Sequence, residues 1–122
     1  MNHSTIKQLL QQSDVKTVWY FFWGKGMVEV LPFVTVQAKK NIVVKLHGYD
    51  LYEERSNGYF PFRELLLEKT DTILPISQNG VNYLKAKYPQ ISNKIMLNRL
   101  GTQSIGSLSK PSSDGVFRVV SC

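Results

Sequence analysis

A histidine, a glycine and a carboxylate lie close together in the segment His47-Gly48-Tyr49-Asp50, directly after an apolar run. That run, residues 42–46, is rich in β-branched side chains and is typical of a buried strand. An imidazole can change its charge near neutral pH, and Gly48 lets a ligand approach the backbone closely. Ligands of open α/β sheets bind outside the carboxyl ends of the strands, so this segment is the candidate site. A single His-Gly step is a weak motif, and a capped strand end with an incidental surface histidine stays open as the alternative.

Length and composition indicate one globular domain. The chain has 122 residues, of which 43% are hydrophobic, and this places it outside the disordered and membrane classes. The longest strongly apolar run, residues 18–23, is far shorter than the ~20 residues that a bilayer span needs. The first residues lack the layout of a signal peptide. Cys122 is the single cysteine, so a reducing compartment and a cytoplasmic location are expected.

Charge is unevenly distributed along the chain. The net charge is +6, and six of the nine acidic residues lie in one stretch: Asp50, Glu53, Glu54, Glu64, Glu68 and Asp71. Beyond Thr72, the only acidic residue is Asp114, whereas the basic residues are Lys85, Lys87, Lys94, Arg99, Lys110 and Arg118. A basic second half is typical either of affinity for phosphate, polyanions or anionic lipids, or of a solvated helix face. The absence of a dense Lys/Arg block argues against a nucleic-acid partner.

Strand-like and helix-like patterns alternate along the sequence. Strands are predicted at residues 17–23, 42–46, 72–76 and 95–97, and helices at 6–12, 61–66 and 77–88. Ser77 has the residue type of a helix N-cap, and Arg63 is expected on the outer face of its helix. Residues 27–36 have a near-helical apolar period, whereas their β-branched content and Pro32 argue against a helix. The alternation predicts an α/β fold with a parallel sheet and right-handed crossovers.

The composition changes after Gly101. Residues 102–115 are rich in serine, glycine and proline and are predicted to be a linker, and residues 116–121 have the pattern of a further strand. A strand with no element after it suggests that the chain is a fragment ending where a second domain begins. The alternative is an edge strand that folds back onto the sheet.

The order of these segments resembles the N-terminal domain of retaining glycosyltransferases with the GT-B fold, in the family 4 group that builds bacterial polysaccharides. The segments that carry the resemblance are Tyr20-Phe21-Phe22-Trp23-Gly24, residues 44–52 with the His-Gly-x-Asp motif, residues 70–77, residues 83–89, residues 94–101 and residues 116–121. No single segment is specific to this family, and the resemblance rests on the order and spacing of all the segments. The family's N-terminal glycine-rich loop and the Glu-x7-Glu region of its second domain are missing, and its Asn-Gly turn appears as Asn98-Arg99-Leu100-Gly101.

The resemblance implies a Rossmann-like parallel sheet with flanking helices, as an incomplete N-terminal half of a GT-B fold. Residues 1–101 would be part of the acceptor domain, residues 102–115 the interdomain linker and residues 116–122 the first strand of the nucleotide-sugar domain. The full-length enzyme would move a sugar from a nucleotide-sugar donor to a glycan or lipid-linked acceptor in bacterial surface polysaccharide biosynthesis. The fragment itself would be inactive.

By the same resemblance, His47 would be the catalytic residue and would donate a hydrogen bond to a sugar or phosphate oxygen. Gly48 would allow the ligand to approach, while Asp50 would either accept from a hydroxyl or cap the following turn. Ser77 would cap its helix and, in a second role, contact the ligand.

Aromatic residues crowd the segment after the histidine. Tyr49 and Tyr52, with Tyr59, Phe60 and Phe62, would either stack on sugar rings or anchor an irregular loop to the core. The sequence contains two histidines and no Asp-x-Asp motif, so no cofactor and no metal are expected. A peripheral contact with the inner face of the cytoplasmic membrane is expected from Lys85, Lys87 and Lys94.

A function of another class also fits the sequence. A non-enzymatic α/β module could use the basic second half to bind a polyanion or an acidic membrane surface.

Overall fold

The computed structural model describes residues 3–12, 16–34, 41–101, 106, 113–116 and 118. Within these ranges, the α-helices are α1 (His3–Gln12), α2 (Gly48–Leu51), α3 (Arg63–Lys69) and α4 (Gln78–Lys87). The strands are β1 (Val18–Phe21), β2 (Asn41–Leu46) and β3 (Thr72–Pro75). The 3₁₀ helices span Gly26–Phe33, Glu53–Ser56 and Pro89–Lys94.

The three described strands form one parallel sheet in the order β1-β2-β3. Val44 of β2 aligns with Phe21 of β1 and with Ile73 of β3, and Leu46 aligns with Pro75. Because β1 pairs with β2 and β2 pairs with β3 in parallel, the carboxyl ends of the three strands lie at the same edge of the sheet. The prediction of an α/β fold with a parallel sheet and flanking helices is confirmed.

The predicted fourth strand is reduced to a single bridge. Ile95 pairs in parallel with Ile73 as an isolated bridge, and the Met96 and Asn98 amides donate to the Ile73 and Pro75 carbonyls at 2.9 and 3.0 Å. The segment therefore runs beside β3 without forming a regular strand.

The described helices pack on one face of the sheet. The strand residues in the buried core are Phe21, Ile42, Val44, Leu46 and Ile73, which the register and the alternation of side chains assign to one face. Buried residues of α1, α2, α3 and α4 belong to the same cluster. On the opposite face, Val18 and Tyr20 are 59% and 50% exposed.

The helix predictions are confirmed for α1 and α4 and need correction at α3. Helix α3 begins at Arg63, after Phe62 in the left-handed conformation with φ of 52°. Arg63, expected on the outer face, is buried, because its guanidinium finds backbone carbonyl partners inside the fold.

Residues 26–33 form a 3₁₀ helix that contains Pro32. The near-helical apolar period thus corresponds to a 3₁₀ helix, and the segment does not form the α-helix that its β-branched residues and Pro32 disfavour. Val36, the last apolar residue of the pattern, lies outside the described residues.

The predicted linker and the last predicted strand lie largely outside the described residues, which after Gly101 comprise Gly106, residues 113–116 and Arg118. In the part of the chain that the structure describes, no helix is long and apolar enough to cross a membrane.

Candidate functional site

His47 directly follows the central strand, β2, at the carboxyl edge of the sheet. It is only 8% exposed, and neither ring nitrogen has a hydrogen-bond partner among the described residues. The rings of Phe22 and Trp23 lie against the imidazole, with centroid distances of 4.7 and 4.4 Å. Buried polar atoms are nearly always hydrogen-bonded, so two such nitrogens on one side chain are the most unusual feature of this edge.

Asp50 closes the turn that follows His47. It is fully buried, and its two carboxylate oxygens accept from the backbone amides of His47 at 2.6 Å and Gly24 at 2.5 Å. The nearer ring nitrogen of His47, Nδ1, lies 3.9 Å from the carboxylate, beyond hydrogen-bond distance. Asp50 thus forms a capping box with His47 at the start of α2 and ties this helix to the turn after β1.

Arg63 completes this junction from α3. One guanidinium nitrogen donates to the Gly24 carbonyl at 3.1 Å, a second donates to the Asp50 carbonyl, and the group lies 4.0 Å over the Phe60 ring. Burial lowers the pKa of Arg63, whereas neighbouring Tyr88 and Asp50 raise it. The ordinary pKa of arginine is so high that the side chain keeps its charge at neutral pH.

Lys45 lies two residues before His47 in β2 and is 6% exposed. Its ammonium donates to the amide oxygen of Asn98 at 2.6 Å. Among the residues that the structure describes, no carboxylate lies within salt-bridge distance of it. The site therefore contains a buried cation whose described partner is neutral.

Ser77 reaches the same edge of the sheet from β3. Its hydroxyl accepts from the Gly80 amide at 3.1 Å, which confirms the predicted N-cap of α4. The Ile76 amide donates to the Leu46 carbonyl at 3.1 Å, so the chain before Ser77 runs beside the end of β2.

Some of the aromatic residues after His47 anchor the loop to the core, and others are exposed and could stack on a sugar ring. Tyr52 is partly buried and packs edge-on against Tyr83 at 5.1 Å, and Phe60 is buried. Tyr49 is 61% exposed and lies beneath the ammonium of Lys25. Gly48 is half-buried beside Arg55. Tyr52 and Phe60 thus anchor the segment, whereas Tyr49 stays available to a ligand.

A groove of about 340 Å³ lies beside α3, apart from His47. It is lined by Glu53, Tyr59, Phe60, Phe62, Arg63, Glu64, Leu65 and Tyr88. Its charged groups already have partners: Glu53 accepts from Lys87 and Tyr88, and Glu64 accepts from Gln90. Unsatisfied polar atoms therefore mark the edge at His47 rather than this groove.

Reasoning from sequence identifies His47, Gly48, Asp50 and Ser77 at this edge and misses Phe22, Trp23 and Lys45. The run from Tyr20 to Trp23 is recognisable as a strand and turn, but the register that sets its rings over His47 is a tertiary property. Among the described residues, no group of three or more His, Cys, Asp or Glu side chains could hold a metal ion. Comparisons of the sequence with family models and with curated proteins, and of the fold with solved structures, find no match.

Proposed function

We propose that this chain is part of the acceptor domain of a retaining glycosyltransferase with a GT-B fold. The full-length enzyme would transfer a sugar from a nucleotide-sugar donor to a glycan or lipid-linked acceptor in bacterial surface polysaccharide biosynthesis. The resemblance of the ordered segments between residues 17 and 121 motivates the reaction class. The observation that carries the proposal is the placement of His47 at the carboxyl end of the central strand, where its ring nitrogens have no partner among the described residues.

This placement suits the chemistry of retaining sugar transfer. The reaction passes through an oxocarbenium-like state while a nucleoside diphosphate leaves, so the protein must stabilise phosphate charge and hold the acceptor close. His47 would donate a hydrogen bond to a sugar or phosphate oxygen. Asp50, whose oxygens are occupied by backbone amides, would position the turn, and Gly48 and Tyr49 would border the sugar.

Ser77 and Tyr52 would act mainly through structure. Ser77 caps α4 and, as a further part of the proposal, would contact a ligand phosphate at the edge it shares with His47. Tyr52 would hold the loop against Tyr83. The reaction would need no cofactor or metal, and the enzyme would act in the cytoplasm or at the inner face of the membrane.

The test compares this chain with the same chain joined to a nucleotide-sugar domain. Both are incubated with a panel of nucleotide sugars and with glycan and lipid-linked acceptors. We expect transfer by the two-domain protein and none by the chain alone, because positioning of the donor diphosphate supplies much of the rate. Transfer by the chain alone would overturn the two-domain mechanism. Failure of the two-domain protein across the panel would contradict the assignment as a transferase and favour the polyanion-binding module.

A further inference from the structure

The groove beside α3 combines buried rings with exposed apolar side chains. Phe60 and Tyr88 of its lining are buried, whereas Tyr59, Phe62 and Leu65 are 67%, 52% and 48% exposed. We propose that this groove is a docking site for a segment of a partner protein that carries apolar anchor side chains beside lysine or arginine. The groove lies apart from His47, so the proposal does not rest on sugar transfer.

Phe62 has a backbone conformation that a bulky side chain rarely adopts. Its φ of 52° and ψ of 24° lie in the left-handed region, which costs free energy for a residue with a Cβ. Burial of the ring does not offset this cost, because the ring is half exposed. The Phe33 ring, 5.0 Å away between centroids, is also 58% exposed. Strain of this kind, held at the surface, is typical of a functional site.

Helix α3 adds an apolar side chain on its outer side. Arg63, Leu66 and Leu67 form the buried side of this helix, and Leu65 lies on the opposite side, at the groove. The groove of about 340 Å³ has room for a leucine or phenylalanine side chain. Several large apolar side chains exposed around one groove indicate a surface that binds a partner, whereas single exposed ones do not.

The cations at this groove already have partners among the described residues. The Lys87 ammonium is paired with the Glu53 carboxylate, which also accepts from the Tyr88 hydroxyl. The buried Arg63 guanidinium donates to backbone carbonyls. These polar groups bond to one another, so a small polar ligand would find few free partners in the lining. Apolar contact is therefore the main attraction that the groove offers.

Two carboxylates on the outer side of α3 give the groove an acidic border. Glu64 is exposed, and its described hydrogen bond comes from the neutral amide of Gln90 at 2.6 Å. Glu68, one helical turn further, is also exposed, and the nearby Lys94 ammonium donates to its backbone carbonyl. No described cation lies within salt-bridge distance of either carboxylate. Lysine or arginine beside the anchor would supply the countercharge, and an acidic segment would be repelled.

The test uses three synthetic peptides as probes of the full chain. Each is alanine-rich and about 15 residues long, near the length at which isolated helices begin to form. The first carries two leucines one helical turn apart, each followed by a lysine. The second has glutamates in place of the lysines, and the third has serines in place of the leucines. Fluorescence anisotropy of the labelled peptide gives the Kd, and amide NMR shifts of the chain locate the contact.

We expect saturable binding of the first peptide, with the NMR shifts concentrated on residues 59–65. The serine peptide should bind at least tenfold more weakly, because it loses the buried apolar surface. The glutamate peptide should also bind at least tenfold more weakly, because its charges repel the acidic border.

Phe62→Gly separates binding from folding. Glycine relieves the left-handed strain and removes the ring, so the variant should unfold at the same urea concentration as wild type or higher. Its Kd for the first peptide should rise about tenfold or more, and Leu65→Ser, at another exposed position, should raise the Kd several-fold. Glu64→Gln should raise it about two- to fivefold, the loss typical of one exposed ion pair. The control Glu54→Gln changes an exposed carboxylate outside the groove and should leave the Kd unchanged.

Absence of saturable binding of the first peptide, or equal binding of the glutamate peptide, would overturn the docking site. So would an unchanged Kd in both Phe62→Gly and Leu65→Ser. Dimerisation of the chain alone in sedimentation, abolished by Phe62→Gly, would show that a second copy occupies the groove and would overturn the basic partner. Because no peptide measurement involves sugar transfer, failure of the docking site leaves the proposed function standing, and failure of transfer leaves the docking site standing.

Discussion

At the scale of single residues, Gly24 is where three parts of the fold meet. Its amide donates to the Asp50 carboxylate and its carbonyl accepts from Arg63, so the turn after β1 is joined to α2 and α3. A Cβ at this position would overlap the Leu46 side chain and lie 3.3 Å from the Asp50 carbonyl oxygen. Glycine suits this close approach, because a methyl group here would require the Leu46 and Arg63 side chains to shift.

We expect Gly24→Ala to lower the free energy of unfolding by about 1–3 kcal/mol, the cost typical of overpacking a well-packed core. Gly101→Ala is the matched control, because no atom of the described residues lies within 4 Å of the position that its Cβ would take, and its effect should stay within about 0.5 kcal/mol. Urea unfolding followed by circular dichroism measures both. Equal stability of the two variants would mean that the junction relaxes around the methyl group.

Residue-scale prediction succeeds where type and position alone decide the role, as for the N-cap Ser77 and the strand-end residue His47. It fails for Arg63, since an arginine is normally exposed and its burial depends on carbonyls of residues 24 and 50. The contact of the Phe22 and Trp23 rings with the His47 imidazole is missed for a similar reason. Both failures concern partners that are distant in sequence.

At the scale of elements, Glu53 links the second 3₁₀ helix to the end of α4. Its carboxylate accepts from the Lys87 ammonium and from the Tyr88 hydroxyl, the latter at 3.3 Å. Burial first, and then the charge of Glu53, raise the pKa of Tyr88. The hydrogen bond to Glu53 raises the pKa of Lys87. Both groups therefore keep their protons to higher pH in the folded protein than in the unfolded chain.

This difference predicts a loss of stability in alkali. Above about pH 10 the unfolded chain releases the Tyr88 proton first, so the unfolded state is favoured and the free energy of unfolding falls as the pH rises. We expect Tyr88→Phe to show a shallower decline between about pH 9 and pH 11, measured by urea unfolding. Tyr59→Phe, at an exposed tyrosine, should keep the wild-type slope. Parallel curves for Tyr88→Phe and wild type would contradict the role of Tyr88.

Periodicity predicts the elements that have strong patterns, β1, β2, β3, α1 and α4, to within a few residues. The segment around Pro32 could not be assigned because its near-helical apolar period favours a helix, whereas its β-branched residues and Pro32 disfavour one; the structure has a 3₁₀ helix there. The fourth strand is overestimated, since apolar residues 95–97 pair at one bridge only. Pairing at a sheet edge depends on the neighbour and not on the segment alone.

At the scale of the whole molecule, charge and the sheet faces set the expected contacts. Lys85 is exposed, Lys87 is paired with Glu53, and Lys94 donates to the Glu68 carbonyl. Val81, Leu84 and Tyr88 of the same region are buried in the core. Contact with a membrane would therefore be electrostatic, without insertion of this helix.

We expect the chain to float with anionic liposomes at low salt, not with neutral ones, and to be released at high salt. Basic residues near an anionic surface contribute about 1 kcal/mol each, and salt screens this attraction. Lys85→Glu should weaken flotation more than Lys7→Glu, which makes the same charge change on α1. Equal binding to both lipids, or none to either, would leave these lysines as a solvated face.

The most direct test of the central claim is the kcat of the two-domain transferase with His47→Ala, beside His3→Ala at the other histidine of the sequence. A hydrogen bond made mainly to the reacting sugar or leaving phosphate contributes in the transition state, so kcat should fall about 10²–10³-fold. Nucleotide affinity should change far less, and His3→Ala should keep kcat near wild type. A near-normal kcat for His47→Ala would show that His47 is only a strand-end residue and would contradict the proposed site.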